Sequence, residues 1–207
     1  MTKRSRILAV AGTFLLAAGS GASAQSTETA IFAGGCFWCV EADFDHVEGV
    51  LETTSGYIGG TVENPTYEEV VREDTGHYEA VRITYDPSKV SYDELLNVFW
   101  HSVDPTDAGG QFCERGDSYR TAIFATDAEQ LAAAEATKAQ AAADLGEPVV
   151  TEIVEAPTFY EAEGYHQDYY QKNALKYKFY RTGCGRNDTV RSVWGDQAFA
   201  GIADSVS

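Results

Sequence analysis

Apolar and polar positions along this chain fall into short runs of two periods. From Ala80 to Tyr85, Val81, Ile83 and Tyr85 alternate with Arg82 and Thr84, the pattern of a half-buried strand. Thr29–Ala33, Val50–Ile58 and Val149–Val154 are β-branched or aromatic runs with glycine or proline at an end, Thr121–Ala125 is another short run of this kind, and all four are also predicted as strands. The helical period appears in Val40, Phe44 and Val47. It returns in Leu95, Leu96, Val98, Phe99 and Trp100 behind the capping box Ser91–Glu94. A second box, Thr126–Glu129, predicts an alanine-rich helix to Leu145, ended by Gly146 and Pro148. Asn64-Pro65-Thr66-Tyr67 is a turn into a short helix over Glu68–Arg72, and Tyr165–Tyr170 opens a last helical piece. Between the long elements lies a polar loop, Asp104–Ser118; after Arg186 the chain is polar with little periodicity. Without repeats or linkers, this predicts one α+β domain, a two-layer sandwich of a mixed sheet with helices packed on it.

The first 24 residues do not fit that domain. Lys3, Arg4 and Arg6 precede the apolar run Ile7–Ala18, and Ala22-Ser23-Ala24 follows. Basic start, short apolar core and small-residue exit predict a secretory signal peptide over residues 1–24, with the mature domain over 25–207 and its catalytic core over about 29–186. The expected location is therefore periplasmic or secreted. The chain carries a net charge of −17, and losing the leader takes it to about −20. Such a surface repels phosphate backbones and anionic lipid, so nucleic acid and stable membrane association are excluded as expected partners.

Candidate chemistry concentrates in Gly34-Gly35-Cys36-Phe37-Trp38-Cys39. A strand, two glycines and an amphipathic segment put Cys36 in the first turn of a helix. Free N–H groups and the dipole there favour a thiolate and predict a lowered pKa. The glycines are expected to leave Cys36 open to substrate. With Cys113 and Cys184 the chain has four cysteines, and the two-residue spacing of one pair suits redox use better than stapling.

Taken in order, Gly-Cys-Phe-Trp after a strand, Asn64-Pro65-Thr66-Tyr67, Gly76-His77-Tyr78-Glu79-Ala80-Val81, Tyr85-Asp86-Pro87, Phe99-Trp100, Asp104-Pro105 and Tyr119-Arg120-Thr121-Ala122-Ile123 form a series. It resembles the A-type peptide methionine sulfoxide reductases from about Thr29 to Arg186. The resemblance implies an α/β sandwich related to the ferredoxin-like folds and thiol-dependent reduction of methionine S-sulfoxide. It implies Cys36 as nucleophile, Glu79 as the acid for the sulfoxide oxygen, and Tyr67 and Tyr119 as phenols holding that oxygen. Phe37 and Trp38 would wall the S-methyl group, with Glu114 also on the substrate. Burying one methyl is worth only ~0.8 kcal/mol, so such a pocket orients more than it binds. Three departures stand out: Cys39 where glycine is frequent, Glu114 where aspartate is usual, and the recycling cysteines, which differ between branches of the family and do not carry over by motif.

Attack leaves Cys36 as a sulfenic acid that a second thiol captures. Cys184, between Gly183 and Gly185, is the expected resolving residue; Cys39 is its rival, and Cys113 is a core thiol or relay. No cofactor and no metal are expected, the chain is expected to be a monomer, and the reductant is a thioredoxin-like protein. Two other classes stay open on the residues alone. Cys-x-x-Cys at a helix start also marks thioredoxin-like disulfide exchangers. Four cysteines also suit a structural zinc site, although Cys113 and Cys184 lack the close pairing usual there.

Overall fold

The computed structural model describes residues 26–203, so the expected leader lies outside the described residues. Six strands form one mixed sheet in the order β7-β6-β1-β3-β2-β8. They are β1 (Glu28–Gly34), β2 (Val50–Ile58), β3 (Tyr78–Tyr85), β6 (Thr121–Ala125), β7 (Glu152–Glu155) and β8 (Tyr160–Glu161). All neighbours pair antiparallel except β6 and β7, which run parallel. Two further strands, β4 (Gly110–Gln111) and β5 (Glu114–Arg115), make a separate hairpin inside the predicted long loop. The helices are α1 (Phe37–Phe44), α2 (Tyr67–Val70), α3 (Tyr92–Trp100), α4 (Ala128–Leu145), α5 (Tyr169–Lys172), α6 (Ala174–Gly183) and α7 (Arg186–Trp194).

β1 lies inside the sheet and is buried on both faces. Ala30 and Phe32 point into the main core; Ile31 and Ala33 join Ile58, Tyr78, Ala80, Ala122 and Phe124 in a smaller cluster opposite. That is the period-two consequence of a strand covered on each side. Phe32 meets Phe44 and Phe99 at ring-centroid distances of 5.4 and 5.0 Å, tying β1 to α1 and α3.

The Ser91–Glu94 capping box opens α3 as predicted, and Gly146 closes α4 in the left-handed conformation. Elsewhere the structure differs. Asp127, not Thr126, caps α4: its carboxylate accepts from the N–H groups of Glu129 and Gln130 at 2.9 and 2.8 Å. β7 begins at Glu152 rather than Val149, because the Val150 N–H is already bonded to Pro105 O at 2.8 Å. The polar stretch after Arg186 is helical. α7 buries Arg186, Val190 and Trp194 at fourth-residue spacing, a narrow stripe that starts with a charge. Gly183 closes the last turn of α6, and Gly185 takes φ +71° to turn the chain into α7.

Replacing Phe32 by alanine should therefore cost about 3–5 kcal/mol, read as a lowered midpoint in urea at unchanged slope. A loss below about 1 kcal/mol would mean that this aromatic junction does not organise the core.

Candidate functional site

Cys36 is the N-cap of α1, as the residue pattern predicts, but its surroundings are not those of an exposed thiolate. The two N–H groups at the start of the helix are each claimed by a carboxyl. Cys36 N donates to Glu114 Oε2 at 3.0 Å, and Phe37 N donates to Glu79 Oε2 at 3.0 Å. Glu79 comes from β3 and Glu114 from β5, 42 and 78 residues away from these donors in sequence. Cys36 and Glu79 are buried, with 4% and 1% of their surfaces exposed.

This corrects the expected lowering of the Cys36 pKa. Burial pushes the thiol well above its ordinary value, and the hydrogen bond to Cys39 and the charges of Glu114 and Glu79 add to the rise. The helix N-terminus cannot serve a thiolate while two carboxyls occupy its donors. Burial also pushes Glu79 well above the usual carboxylate range, with the charge of Glu114 next and the Phe37 N–H opposing. Glu114 is raised by burial too, but hydrogen bonds from Tyr180 and Cys36 N and the charge of Arg186 pull against it. The two carboxyls thus differ: Glu79 favours its acid form, whereas Glu114 is supplied with donors to its anion.

Cys39 sits one turn on, in the same buried cluster as Cys36, Ala42 and Tyr177. The Cys36 hydrogen bond, opposed by burial and helped by Arg181 and Arg186, lowers its pKa to about 7. Behind it lies a buried ion group that the sequence reading passed over. Asp43 on α1 meets Arg181 at 2.8 Å and Arg186 at 3.3 Å, all three nearly inaccessible. Arg186 also donates to Gly34 O and Ser102 O, both at 3.0 Å, fixing the turn that carries Cys36.

The glycines before Cys36 have a different use from the one expected. Gly35 has φ +82°, and a Cβ there would lie 2.7 Å from Gln111 Cβ; one on Gly34 would lie 2.9 Å from Val103 Cγ1. They admit close packing of the Asp104–Ser118 loop and of Val103 just after α3, rather than an opening to solvent. Gln111 is fully buried and latches that loop by accepting from Asp104 N at 2.9 Å and donating to Asp104 O at 2.8 Å.

Aromatic rings complete the surroundings. Phe37 packs on Tyr57, Tyr67 and His166. Trp38 stacks on Tyr169 at 3.8 Å and donates from Nε1 to His166 Nδ1 at 3.0 Å. His166 is thus part of this wall, and burial lowers its pKa. Tyr67 N donates to Glu163 Oε1 and the Tyr57 hydroxyl to Glu163 Oε2, at 2.9 and 2.8 Å. Glu163 therefore holds the Tyr57 phenol and the backbone of Tyr67. Tyr119 is the last residue of a 3₁₀ turn, Asp117–Tyr119, held by Glu73, which accepts from Ser118 N and Oγ. The Tyr67 and Tyr119 hydroxyls are hydrogen-bonded to each other and both face the charge of Glu79; burial raises both, Tyr67 to about 12. They are proton donors throughout the neutral range.

The expected residues Cys36, Glu79, Tyr67, Tyr119, Phe37, Trp38 and Glu114 are thus brought together, with Cys39 beside them. Cys184 is not free: it forms a disulfide with Cys113, leaving Cys36 and Cys39 as thiols. That bond excludes a Cys₄ zinc arrangement in this state. Among the described residues, no group of three or more His, Cys, Asp or Glu side chains is arranged to hold a metal. Tyr180 was missed; its hydroxyl donates to Glu114 Oε1, and its ring meets Trp38 edge-on at 5.6 Å.

A reactive cysteine between an acid-form carboxyl and two phenols, with a second thiol one turn away, defines a thiol-based oxidoreductase. The comparisons make this specific. The family model "Peptide methionine sulfoxide reductase" matches residues 28–198. Peptide methionine sulfoxide reductase MsrA 2 of Rhizobium meliloti (strain 1021) is 53% identical over 182 residues, covering 88% of this chain and 91% of its own. MsrA of Bacillus subtilis (strain 168) is 53% identical over 174 residues, covering 83% and 98%. Among solved structures, methionine sulfoxide reductase A of Corynebacterium diphtheriae superposes with TM-score 0.66 at 35% identity, covering 72% of this chain and 76% of that one. Reduced Mxr1 of Saccharomyces cerevisiae gives TM-score 0.69 at 28% identity, covering 72% and 86%. The chain belongs to the peptide methionine sulfoxide reductase family.

The raised pKa of Glu79 fixes a sign for stability. Its native acid form binds a proton that the unfolded chain has lost above the ordinary carboxylate pKa, so stability falls as pH rises from there towards the native value. Glu79→Gln removes that penalty. Its melting midpoint should exceed the wild type's at pH 8 and approach it near pH 4; a variant less stable at pH 8 would contradict the acid form of Glu79.

Proposed function

We propose that this chain reduces methionine S-sulfoxide, free or in proteins, through a Cys36 sulfenic acid and an intramolecular disulfide. The observation that carries the reading is the Glu79 carboxyl, buried against the Phe37 N–H of the helix turn that presents Cys36 and pushed by burial above the usual carboxylate range. Oxide is too poor a leaving group to depart from sulfur unprotonated, so a sulfoxide needs such a donor.

The sulfoxide oxygen takes hydrogen bonds from Tyr67, Tyr119 and Glu79. As the Cys36 sulfur bonds to the sulfoxide sulfur, Glu79 delivers a proton to the oxygen, and the Cys36 proton replaces it on the carboxyl. The hydroxyl then passes from the substrate sulfur to the Cys36 sulfur. The substrate S–O bond and the newly formed S–S bond both break, and the S–S electron pair stays on the thioether sulfur. Cys36 is left as a sulfenic acid while methionine departs. Thiol and sulfoxide become sulfenic acid and thioether, with no atom unaccounted for. The raised Cys36 pKa keeps the resting sulfur protonated, which suits a step in which its proton is consumed.

We assign the first disulfide to Cys36–Cys39, in place of the expected Cys184. Cys39 is a free thiol hydrogen-bonded to Cys36, and its pKa of about 7 supplies a thiolate to displace hydroxide from the sulfenic sulfur as water. A thioredoxin-like dithiol then restores both thiols. With residues 1–24 as an export leader, the work is repair of oxidised methionine in the periplasm or medium, by a monomer.

Separate S and R epimers of a methionine sulfoxide peptide, each with dithiothreitol, test the reaction. The S epimer alone should be reduced, and equal use of both would defeat the reading. Glu79→Gln should retain turnover lowered by ~10²–10⁴-fold, whereas Cys36→Ser should have none. Peptide mapping after one equivalent of sulfoxide should find Cys36 linked to Cys39 with Cys113–Cys184 intact; a Cys36–Cys184 link would reverse the assignment.

A further inference from the structure

The reaction just proposed leaves Tyr180 and the Cys113–Cys184 bond without a task, yet both join the same two segments. Cys113 immediately precedes Glu114 on the β4–β5 hairpin, and Cys184 lies one helical turn beyond Tyr180 at the end of α6. The covalent link therefore sits beside the hydrogen bond from the Tyr180 hydroxyl to Glu114 Oε1, whose other oxygen holds the Cys36 N–H.

The hairpin needs outside support. Each strand has two residues, too few to be stable alone. Phe112, in its turn, has φ +55°, a left-handed conformation disfavoured for an aromatic side chain. The Arg115–Asp107 pair beside it is largely exposed and contributes little. Besides the Gln111 latch on β4, the hairpin's ties run to the C-terminal segment: the disulfide, the Tyr180 hydroxyl, and Arg186 stacked over Phe112 at 4.8 Å.

We propose that Tyr180 is a positioning residue for the reduction, and that the Cys113–Cys184 disulfide holds the Glu114–Tyr180 pair over the backbone N–H of Cys36. The bond acts as a staple rather than as the electron-carrying disulfide of each turnover. Glu114 works as an anion accepting two hydrogen bonds. Loss of either Tyr180 or the staple removes a donor from that anion, raises the carboxyl's pKa and loosens the helix start at Cys36.

This inference rests on the reading under Proposed function, and the experiment separates the two. Wild type, Tyr180→Phe, Cys113→Ser/Cys184→Ser and the triple variant are compared in single-turnover reduction of methionine S-sulfoxide across pH. Tyr180→Phe and the double serine variant should each slow the reaction by about tenfold, the size expected for one hydrogen bond to a charged group. In both, the acid limb of the profile should move to higher pH. The triple variant should be no slower than the slower parent, because both changes break one unit. Cys36–Cys39 should still form in full. Losses that multiply in the triple variant would overturn the proposal, as would a double serine variant with an unaltered rate and profile. If the serine variant fails to fold, Tyr180→Phe carries the test alone, and an unmoved acid limb overturns it. Wild type inactive on the sulfoxide would instead sink the parent reading.

Discussion

The structure turns on competition for two backbone N–H groups at the start of α1. A helix N-terminus is a ready site for negative charge, and a cysteine there invites the inference of a low-pKa thiolate. Here Glu79 and Glu114 take those donors, one each, from distant strands. The result is a helix start crowded with three acidic groups in a dry setting, which cannot all ionise together. Proton sharing among them replaces simple thiolate stabilisation. Glu79 keeps its proton, Glu114 gains donors, and the Cys36 thiol is held up in pKa until an oxygen arrives to receive a proton.

The same competition explains the aromatic construction around it. Tyr67 and Tyr119 remain protonated above neutrality because burial opposes their ionisation. They add hydrogen-bond donors without adding charge. Glu163, Glu73 and Gln111 each spend their polar atoms on backbone or phenol groups that fix this ring of donors. Neutral donors around a buried acid are what a weakly basic oxygen on a soft thioether requires, and a cationic clamp would suit a different substrate.

Much of this was legible in the residues, for reasons that can be named. The β3 alternation and the Ser91–Glu94 box act over a few residues, where local chemistry decides, and both appear as read. The site set followed from motif order rather than from period. What failed to show was long-range. α7 presents to the core an arginine, a valine and a tryptophan, so its stripe reads as polar although its first member is satisfied by Asp43 and two carbonyls. β8 is two residues long and exists only because β2 offers it an edge. The Cys36 environment was misjudged because nothing near Cys36 in sequence announces that two glutamates will occupy its helix donors.

Asp43, Arg181 and Arg186 carry a consequence for how such a chain varies and how it can be cut. A carboxylate on the catalytic helix pairs with two guanidinium groups near the far end of the chain. Deleting either partner strands a charge in the interior, so substitution at these three sites must be concerted. A fragment ending before residue 181 keeps every reacting group and still lacks the counter-ions of its own nucleophile's helix. The C-terminal segment is therefore an inner wall of the reaction chamber, and the helix bearing Cys36 is complete only once the last part of the polypeptide has docked.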